Sequence, residues 1–329
     1  MRNVIQKVPI PTAGVALGLA ALGNLLQPYT EVLHVVCGAL ALVLIVMLGA
    51  KIILFPSMIQ DDLHNSIMAS VSATLFMSLM QLATYLAPIA YEPASLIWAA
   101  AVIAHLALIG WFTARFIAHF KLHEVFPTYF ICYVGIVVAS VTSPTFGMTA
   151  TGHVLFWFGF ACYLVLFALV TYRYAKHEIP EAARPLFCIY TAPMSLSLVG
   201  YLATATDPNP LFVGAMLVLA QVLFIMVLSR LPHLLRLRFY PSYAAMTFPF
   251  VITATALGKA LAFFRANGIM LPEAFDVLFI AETAIAIVMV GYVLGHYVRF
   301  FVRRIEEPQS QAVLQENQQI AHFPENFDN

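Results

Sequence analysis

Charge is what this sequence contains least of. Asp, Glu, Lys and Arg together account for 10% of its residues, whereas hydrophobic residues account for 62%. A soluble domain is about one quarter charged, so this composition excludes an ordinary soluble fold. The mean hydropathy of +0.88 predicts a polytopic membrane protein.

Cysteine and clustered metal ligands are scarce as well. The four cysteines lie in apolar runs without the spacing of a metal site or a disulfide framework, and they are interpreted as small core residues: Cys37, Cys132, Cys162 and Cys188. His119 and His123 flank Lys121 and are interpreted as solvated residues at a helix end rather than as a metal pair. No His cluster or acid pair converges, so we predict no enzyme, no metal and no cofactor.

Ten apolar stretches follow one another along the chain and predict ten transmembrane helices. We number them segments 1 to 10 in chain order, with approximate bounds 10–27, 31–55, 66–87, 93–119, 127–148, 151–175, 185–206, 209–231, 241–264 and 275–302. They predict a membrane domain over residues 1–304, followed by a flexible polar cytoplasmic tail over residues 305–329.

The odd-numbered segments begin at nearly constant intervals. Their first residues are 56 to 61 positions apart, which indicates a two-helix unit repeated five times. The repeats lie near residues 8–58, 64–122, 125–180, 183–235 and 239–304. Because each unit crosses the membrane twice, successive units are parallel and are expected to stack around an axis along the membrane normal.

Positive charge is distributed unequally between the two ends of the segments. Of the 16 Lys and Arg residues, 14 lie at the N-terminus or after even-numbered segments, and only Lys259 and Arg265 lie on the other side. The positive-inside rule therefore predicts a multi-pass inner (plasma) membrane protein with both termini in the cytoplasm. The apolar run after Lys7 continues into segment 1, so no cleavable signal peptide is expected.

Hydroxyl side chains are concentrated in the odd segments. These segments hold 21 Ser and Thr residues, whereas the even segments hold six. Three interior prolines, Pro144, Pro193 and Pro249, follow the same division. Because lipid does not solvate hydroxyls, the odd helices are predicted to form an inner ring and the even helices an outer ring. Hydroxyls also join packed helices where there is no pathway, but a fivefold ring of kinked helices favours a central pore.

Segment 9 combines a proline with a large aromatic residue. Thr247, Phe248 and Pro249 lie about one third of the way along it. A proline inside a helix removes a backbone hydrogen bond and bends the helix, so Phe248 is a candidate plug in a pore wall. The alternative is that Phe248 only fills space between helices.

The inner ring lacks fixed charge at mid-depth. Lys259 and Glu282 lie in the outer half of their segments and form a candidate ion pair. Cation channels usually carry rings of Asp or Glu, and no such ring is present here. Hydroxyls and kinked backbone therefore favour a weakly selective path for small anions.

Three stretches resemble one known family. Pro9–Leu22 and Tyr243–Pro249 are similar to the opening and the ninth helix of the bacterial tellurite-resistance protein A family, and Thr191–Pro193 resembles its kinked seventh helix. The ninth-helix motif is shared with the plant guard-cell slow anion channels. The layout of all ten segments agrees with this family, which also includes members described as dicarboxylate transporters.

The resemblance implies a homotrimer in which each subunit has its own fivefold pore. It further implies that Phe248 plugs that pore and that Gly14 is a close-packed glycine of the first helix. Segment 3 departs from the family pattern because it has no interior proline.

Two transport functions stay open on this basis. The first is a passive anion channel gated by Phe248, with Thr247 adjusting to its motion. The alternative is a proton-coupled carrier or exporter for malate-like C4-dicarboxylates or for other anions such as tellurite or sulfite. A carrier of dianions needs a fixed cation and a titratable relay at mid-depth, for which Lys259 and Glu282 are the only nearby candidates.

Overall fold

The computed structural model describes the backbone of residues 2–306 and the side chains of residues 4–303, and this part of the chain is helical without any β-strand. Eight of its helices are long and apolar enough to cross a membrane by length and composition, and two shorter apolar helices accompany them, Thr12–Leu26 and Val137–Phe146. Each of the ten falls in one predicted segment. The predicted tail lies outside the described residues from position 307 onwards.

The even segments are continuous helices. Their bounds are Glu31–Leu54, Tyr91–Phe112, Thr149–Lys176, Pro210–Leu234 and Ala274–Glu306. Tyr91–Phe112 continues directly into a π-helical turn, Thr113–Ile117. Shorter helices precede or connect the segments: Arg2–Gln6, Pro56–Asp62 and Leu122–Glu124.

Four of the odd segments are interrupted part-way along. Segment 3 consists of Ser66–Val71 and Ala73–Leu86, segment 5 of Thr128–Tyr133, Val137–Thr142 and Ser143–Phe146, segment 7 of Glu181–Thr191 and Ala192–Thr204, and segment 9 of Pro241–Met246 and Phe248–Ala266. The first parts of segments 7 and 9 are 3-10 helices. Segment 1 is the single helix Thr12–Leu26, with Pro9 and Pro11 before it.

The interior prolines lie at helix starts rather than at helix centres. Pro193 and Pro249 occupy the first turn of Ala192–Thr204 and Phe248–Ala266. A first-turn N–H has no intrahelical partner, so proline is tolerated there without loss of a hydrogen bond. In segments 7 and 9 the bend that these prolines predicted in the middle of a helix is absent. A change from 3-10 helix to α-helix is found there instead.

Segments 3 and 5 are interrupted without a proline at the break. Segment 3 breaks at Ser72, whose hydroxyl donates to the carbonyl of Ala69 at 2.6 Å; such local bonds compete with the helical ladder. Segment 5 breaks at residues 134–136, where the Gly135 N–H reaches back to the Phe130 carbonyl at 3.1 Å. The kink predicted at Pro144 is wrong: Pro144 is exposed and lies in the terminal 3-10 turn Ser143–Phe146.

Contacts between the odd segments close a ring. Segment 1 packs against segment 3, segment 3 against 5, segment 5 against 7, segment 7 against 9, and segment 9 against 1. Each even helix packs outside this ring against two odd segments: segments 2, 4, 6 and 8 contact the odd segments before and after them, and segment 10 contacts segments 9 and 1. In the most apolar stretches of segments 3, 7 and 9, 61% to 83% of residues are buried, compared with 28% to 39% in the even segments.

Candidate functional site

A cavity of about 810 Å³ lies inside the ring of odd segments. All five odd segments contribute to its wall, and one lining residue from each is Gly14, Met77, Gly135, Pro193 and Phe248. The interruptions described above lie beside this space, because lining residues flank the breaks in segments 3, 5, 7 and 9. The broken backbone of the inner segments thus surrounds the cavity.

The cavity runs from a charged mouth to an apolar end. The lining residues that lie furthest along segments 1, 3 and 7 are Leu17, Met77 and Leu196, and in segment 9 they are Phe248 and Pro249. Phe248 is the first residue of its helix and is only 6% exposed. Its side chain therefore lies at the apolar end of the cavity, largely shielded from solvent.

Thr247 fixes the position of Phe248 against segment 1. The Thr247 backbone has φ −107° and ψ −87°, outside both helical and extended geometry, and joins the 3-10 helix to the α-helix. The Thr247 hydroxyl lies 3.0 Å from the Gly14 carbonyl and 2.7 Å from the Ala244 carbonyl, and it donates to these two acceptors. The bond to Gly14 connects the start of Phe248–Ala266 to the first helix.

Two glycines of segment 1 allow this close approach. A Cβ added at Gly18 would lie 2.5 Å from the Thr247 Cβ, so no side chain fits there. A Cβ at Gly14 would lie 3.3 Å from the Ala244 Cβ, which is a tight but milder contact. Gly14 lines the cavity as a wall residue, while the closest helix contact is at Gly18, which the sequence reasoning missed. The small-xxx-small spacing of Gly14 and Gly18 was the available signal.

Few hydroxyls of the odd segments line the cavity, and several of the others join neighbouring helices. Of the Ser and Thr residues counted in these segments, only Thr74 and Ser242 line it. The Thr253 hydroxyl lies 2.9 Å from that of Thr191 and 3.1 Å from that of Ser195, between segments 7 and 9. The Ser78 hydroxyl donates to the Ala13 carbonyl at 2.9 Å. The expectation of a hydroxyl-lined path is therefore wrong for this cavity, whose body is mainly apolar.

Charged side chains at the mouth carry one excess positive charge. Three cations and two acids line it: Lys7, Lys51, Arg238, Asp62 and Glu181. Lys51 lies 3.7 Å from Asp62, and Arg238 lies 3.9 Å from Glu181. All the charged residues that line the cavity belong to this mouth.

Tyr240 links the two charges of the second pair. Its hydroxyl accepts from the Arg238 guanidinium and donates to the Glu181 carboxylate at 2.9 Å. Desolvation by burial is the main cause of the raised pKa of the Tyr240 phenol, so the phenol keeps the proton that it donates to Glu181.

Four helix N-termini lie in the cavity wall. Thr12–Leu26, Ala73–Leu86, Ala192–Thr204 and Phe248–Ala266 begin beside the lining residues and run away from the mouth. The N-terminal end of a helix carries a partial positive charge. The backbone therefore supplies an environment that favours anions in a cavity whose side chains are mostly neutral.

The predicted pair of Lys259 and Glu282 does not form. Lys259 is exposed, whereas Glu282 is 1% exposed, and no ion pair joins them among the described side chains. The Gln221 side chain faces the Glu282 carboxyl group, but neither carboxyl oxygen has a hydrogen bond of normal geometry. Both residues lie outside the cavity wall, so neither contributes a charge to it.

Comparison with known proteins identifies the family. The family model for SLAC1, the voltage-dependent anion channel, matches residues 7–298, which is most of the chain. The chain belongs to the voltage-dependent anion channel family. A search of curated proteins found no match to it.

Membership of this family confirms the resemblance seen in the sequence. The matched region of this family member spans all the residues that line the cavity apart from Phe300. Family members are channels and transporters for anions, so the cavity lies in a multi-pass membrane protein with an anion-transport role. Within the described residues, no three His, Cys, Asp or Glu side chains lie together in a way that would hold a metal ion.

Proposed function

We propose that the protein is a passive anion channel of the plasma membrane in which Phe248 closes the pore. The observation that carries this proposal is the cavity lined by all five odd segments, at whose apolar end the Phe248 side chain lies. The path of the anion would run from the charged mouth, past Phe248 and out between the outer halves of the odd helices. Four helix N-termini and the excess positive mouth charge support an anion as the permeant ion.

The architecture that we propose is ten transmembrane helices arranged as five parallel hairpin repeats. The closed ring of odd segments, and the outer position of each even helix between two odd ones, support this arrangement. The charge distribution supports cytoplasmic N- and C-termini, which places the charged mouth on the cytoplasmic side. Each subunit of a homotrimer would contain its own pore.

Opening requires the Phe248 side chain to leave its contacts. Burial of one large apolar side chain contributes about 1.5–3 kcal/mol, so a modest input is sufficient to move it. Phe248 is the first residue of its helix, and the preceding Thr247 backbone is neither helical nor extended. Rotation at this junction moves the ring without unfolding Phe248–Ala266.

Carrier chemistry has less support from the cavity. A proton-coupled carrier for dicarboxylates needs a titratable group on the substrate path, and the body of the cavity has none among its described lining residues. Glu282 is buried between the outer helices and the ring instead. Anion uptake that persists in the presence of an uncoupler supports the channel; uptake that stops without a proton gradient supports the carrier.

Replacement of the gate tests the proposal directly. Phe248→Ala is expected to raise the anion current through purified protein in planar bilayers by at least tenfold, because it removes the ring that closes the cavity. Phe250→Ala is the matched control: Phe250 is fully buried against Phe224, with ring centroids 6.0 Å apart, and does not line the cavity. A Phe248→Ala current no larger than that of the wild type, or an equal rise with Phe250→Ala, contradicts the gate assignment.

A further inference from the structure

A second cleft lies at the end of segment 4, apart from the pore. Its volume is about 500 Å³, and it shares no lining residue with the central cavity. Its wall is formed mainly by His64, Trp111, Arg115, Phe116, His119 and Lys121. Four of these six side chains are basic or carry an imidazole, so the cleft is suited to an anionic group.

The charge of this cleft is only partly neutralised within the protein. Glu124 also lines the cleft and is the acidic residue among its lining side chains. Its carboxylate lies 3.2 Å from the Lys121 amine and 3.8 Å from the His123 ring. Among the described side chains, no acidic group pairs with the exposed guanidinium of Arg115. Arg115 is therefore available to an external anion.

Aromatic side chains around the cleft indicate a position at the membrane boundary. Trp111 is 41% exposed and packs edge-on against Phe116 with ring centroids 6.1 Å apart, and Phe120 is also exposed. Trp and basic side chains at the end of an apolar helix are typical of the lipid headgroup region. Earlier in the same helix, Ile103 and Leu106 are exposed, as expected for a lipid-facing surface.

A π-helical turn shapes the wall of the cleft. The Ala118 N–H bonds to the Thr113 carbonyl at 3.0 Å, five residues back, and Thr113–Ile117 is therefore wider than an α-helical turn. The Thr113 hydroxyl donates to the Ile109 carbonyl at 2.7 Å and lies 2.7 Å from the Tyr133 hydroxyl. The contact with Tyr133 connects the turn to segment 5, so Arg115 projects from a supported structure. Single π turns inside helices are frequent at functional sites.

We propose that this cleft binds the phosphate of an anionic phospholipid headgroup. Arg115 and Lys121 contact the phosphate oxygens, and Trp111 packs against the glycerol and upper acyl region. A guanidinium is well suited to phosphate because its planar N–H groups match two oxygens. A lipid is favoured over free phosphate because the basic groups adjoin an exposed aromatic surface that a free ion does not use.

Fluorescence of Trp111 provides the test. The full-length protein is reconstituted into phosphatidylcholine vesicles that contain increasing amounts of phosphatidylglycerol brominated in its acyl chains, because bromine quenches a nearby tryptophan. The Trp111 contribution is the difference between the wild type and Trp111→Phe. We expect quenching at lower mole fractions of brominated phosphatidylglycerol than of brominated phosphatidylcholine. Arg115→Gln and Lys121→Gln are each expected to weaken this preference by about fivefold.

Arg230→Gln is the matched control, because Arg230 is also an exposed arginine at the end of an even segment but does not line the cleft. A preserved preference in this variant supports the proposal. Equal quenching by the two brominated lipids, or an equal loss in Arg230→Gln, overturns it. Inorganic phosphate is added in parallel with sodium chloride of the same ionic strength. If phosphate alone abolishes the quenching, the ligand is free phosphate and the lipid assignment is wrong.

Discussion

Phe248 and Phe250 are separated by one residue and have different surroundings. Phe248 lines the cavity, whereas Phe250 is fully buried against the neighbouring helix. A step of two residues rotates a side chain by about 200° around an α-helix, so these two rings lie on opposite sides of it. The sequence places an aromatic residue beside a proline, but only the packing of the helix shows which ring reaches the cavity.

Close packing at the residue scale was only partly visible in the sequence. The resemblance pointed to Gly14, and Gly14 does lie in the cavity wall with its carbonyl bonded to Thr247. The contact without room for a side chain is at Gly18. Which of two glycines on one helix face meets a neighbour depends on the depth at which the helices cross, and this depth is a tertiary property.

Glu282 provides a prediction at this scale. Its carboxyl oxygens and the Gln221 Nε2 atom are buried without hydrogen bonds of normal geometry, and unsatisfied buried polar groups are costly. Glu282→Gln keeps the shape and allows an amide–amide bond with Gln221. We expect it to raise the free energy of unfolding by about 1–3 kcal/mol, measured as a higher melting temperature in detergent. Glu92→Gln, at an exposed glutamate, is the control with little effect; a lower melting temperature for Glu282→Gln contradicts the prediction.

At the scale of elements, four of the five inner segments are interrupted, whereas the outer segments are continuous. Prolines predicted irregularity in segments 7 and 9, and it occurs where they begin the α-helical part. Segments 3 and 5 break at Ser72 and at residues 134–136, although neither break has a proline. Serine and glycine are too common in membrane helices for such breaks to be predicted from one sequence, so their positions were missed.

The coupling of segment 9 to segment 1 gives a prediction for elements. Thr247→Val removes the hydroxyl that bonds to the Gly14 carbonyl, which is expected to cost about 0.5–1.5 kcal/mol of unfolding free energy. The helix that carries Phe248 is then held less firmly, so bilayer recordings should show an anion current between those of the wild type and Phe248→Ala.

Thr255→Val is the control for this experiment. The Thr255 hydroxyl bonds only within its own helix, to the Val251 carbonyl at 2.9 Å, so its loss leaves the contact between segments intact. If Thr255→Val raises the current as much as Thr247→Val, the bond between Thr247 and Gly14 is not what limits the current.

At the scale of the whole molecule, the mouth charge is expected to concentrate anions. Arg238→Gln removes the excess positive charge of the mouth. In the Phe248→Ala background, for which we expect the larger current, the anion current should fall roughly two- to fivefold at low salt. The difference should disappear near 1 M salt, where the Debye length is about 3 Å.

Arg230→Gln serves as the control for the mouth charge, since Arg230 is exposed but does not line the cavity. Equal currents for Arg238→Gln and its parent protein at low salt show that the mouth does not concentrate the anion. An effect that persists undiminished at 1 M salt indicates a structural change instead.

Assembly gives a further prediction for the whole molecule. The even helices present many large apolar side chains outward, for example Val218, Ile225 and Val288, and part of this surface is available for subunit contacts. We expect light scattering of the detergent-solubilised protein, corrected for bound detergent, to give three times the chain mass of 36.3 kDa. A particle of one or two chain masses contradicts the homotrimer.

Sequence alone determined the class of this protein and its family. Scarce charge and ten apolar stretches require lipid around the chain, and residue runs in the first, seventh and ninth segments identified the family that the comparison confirmed. These properties are predictable because composition and local runs do not depend on how the helices meet.

Tertiary structure decided which atoms face the cavity. Of the hydroxyls counted in the inner segments only those of Thr74 and Ser242 line the cavity, Pro144 lies at an exposed end, and Glu282 and Lys259 lie apart. Each outcome depends on the rotation and depth of a helix relative to its neighbours, which are fixed by packing among residues far apart in the chain. Neither quantity can be read from the order of residues within one segment.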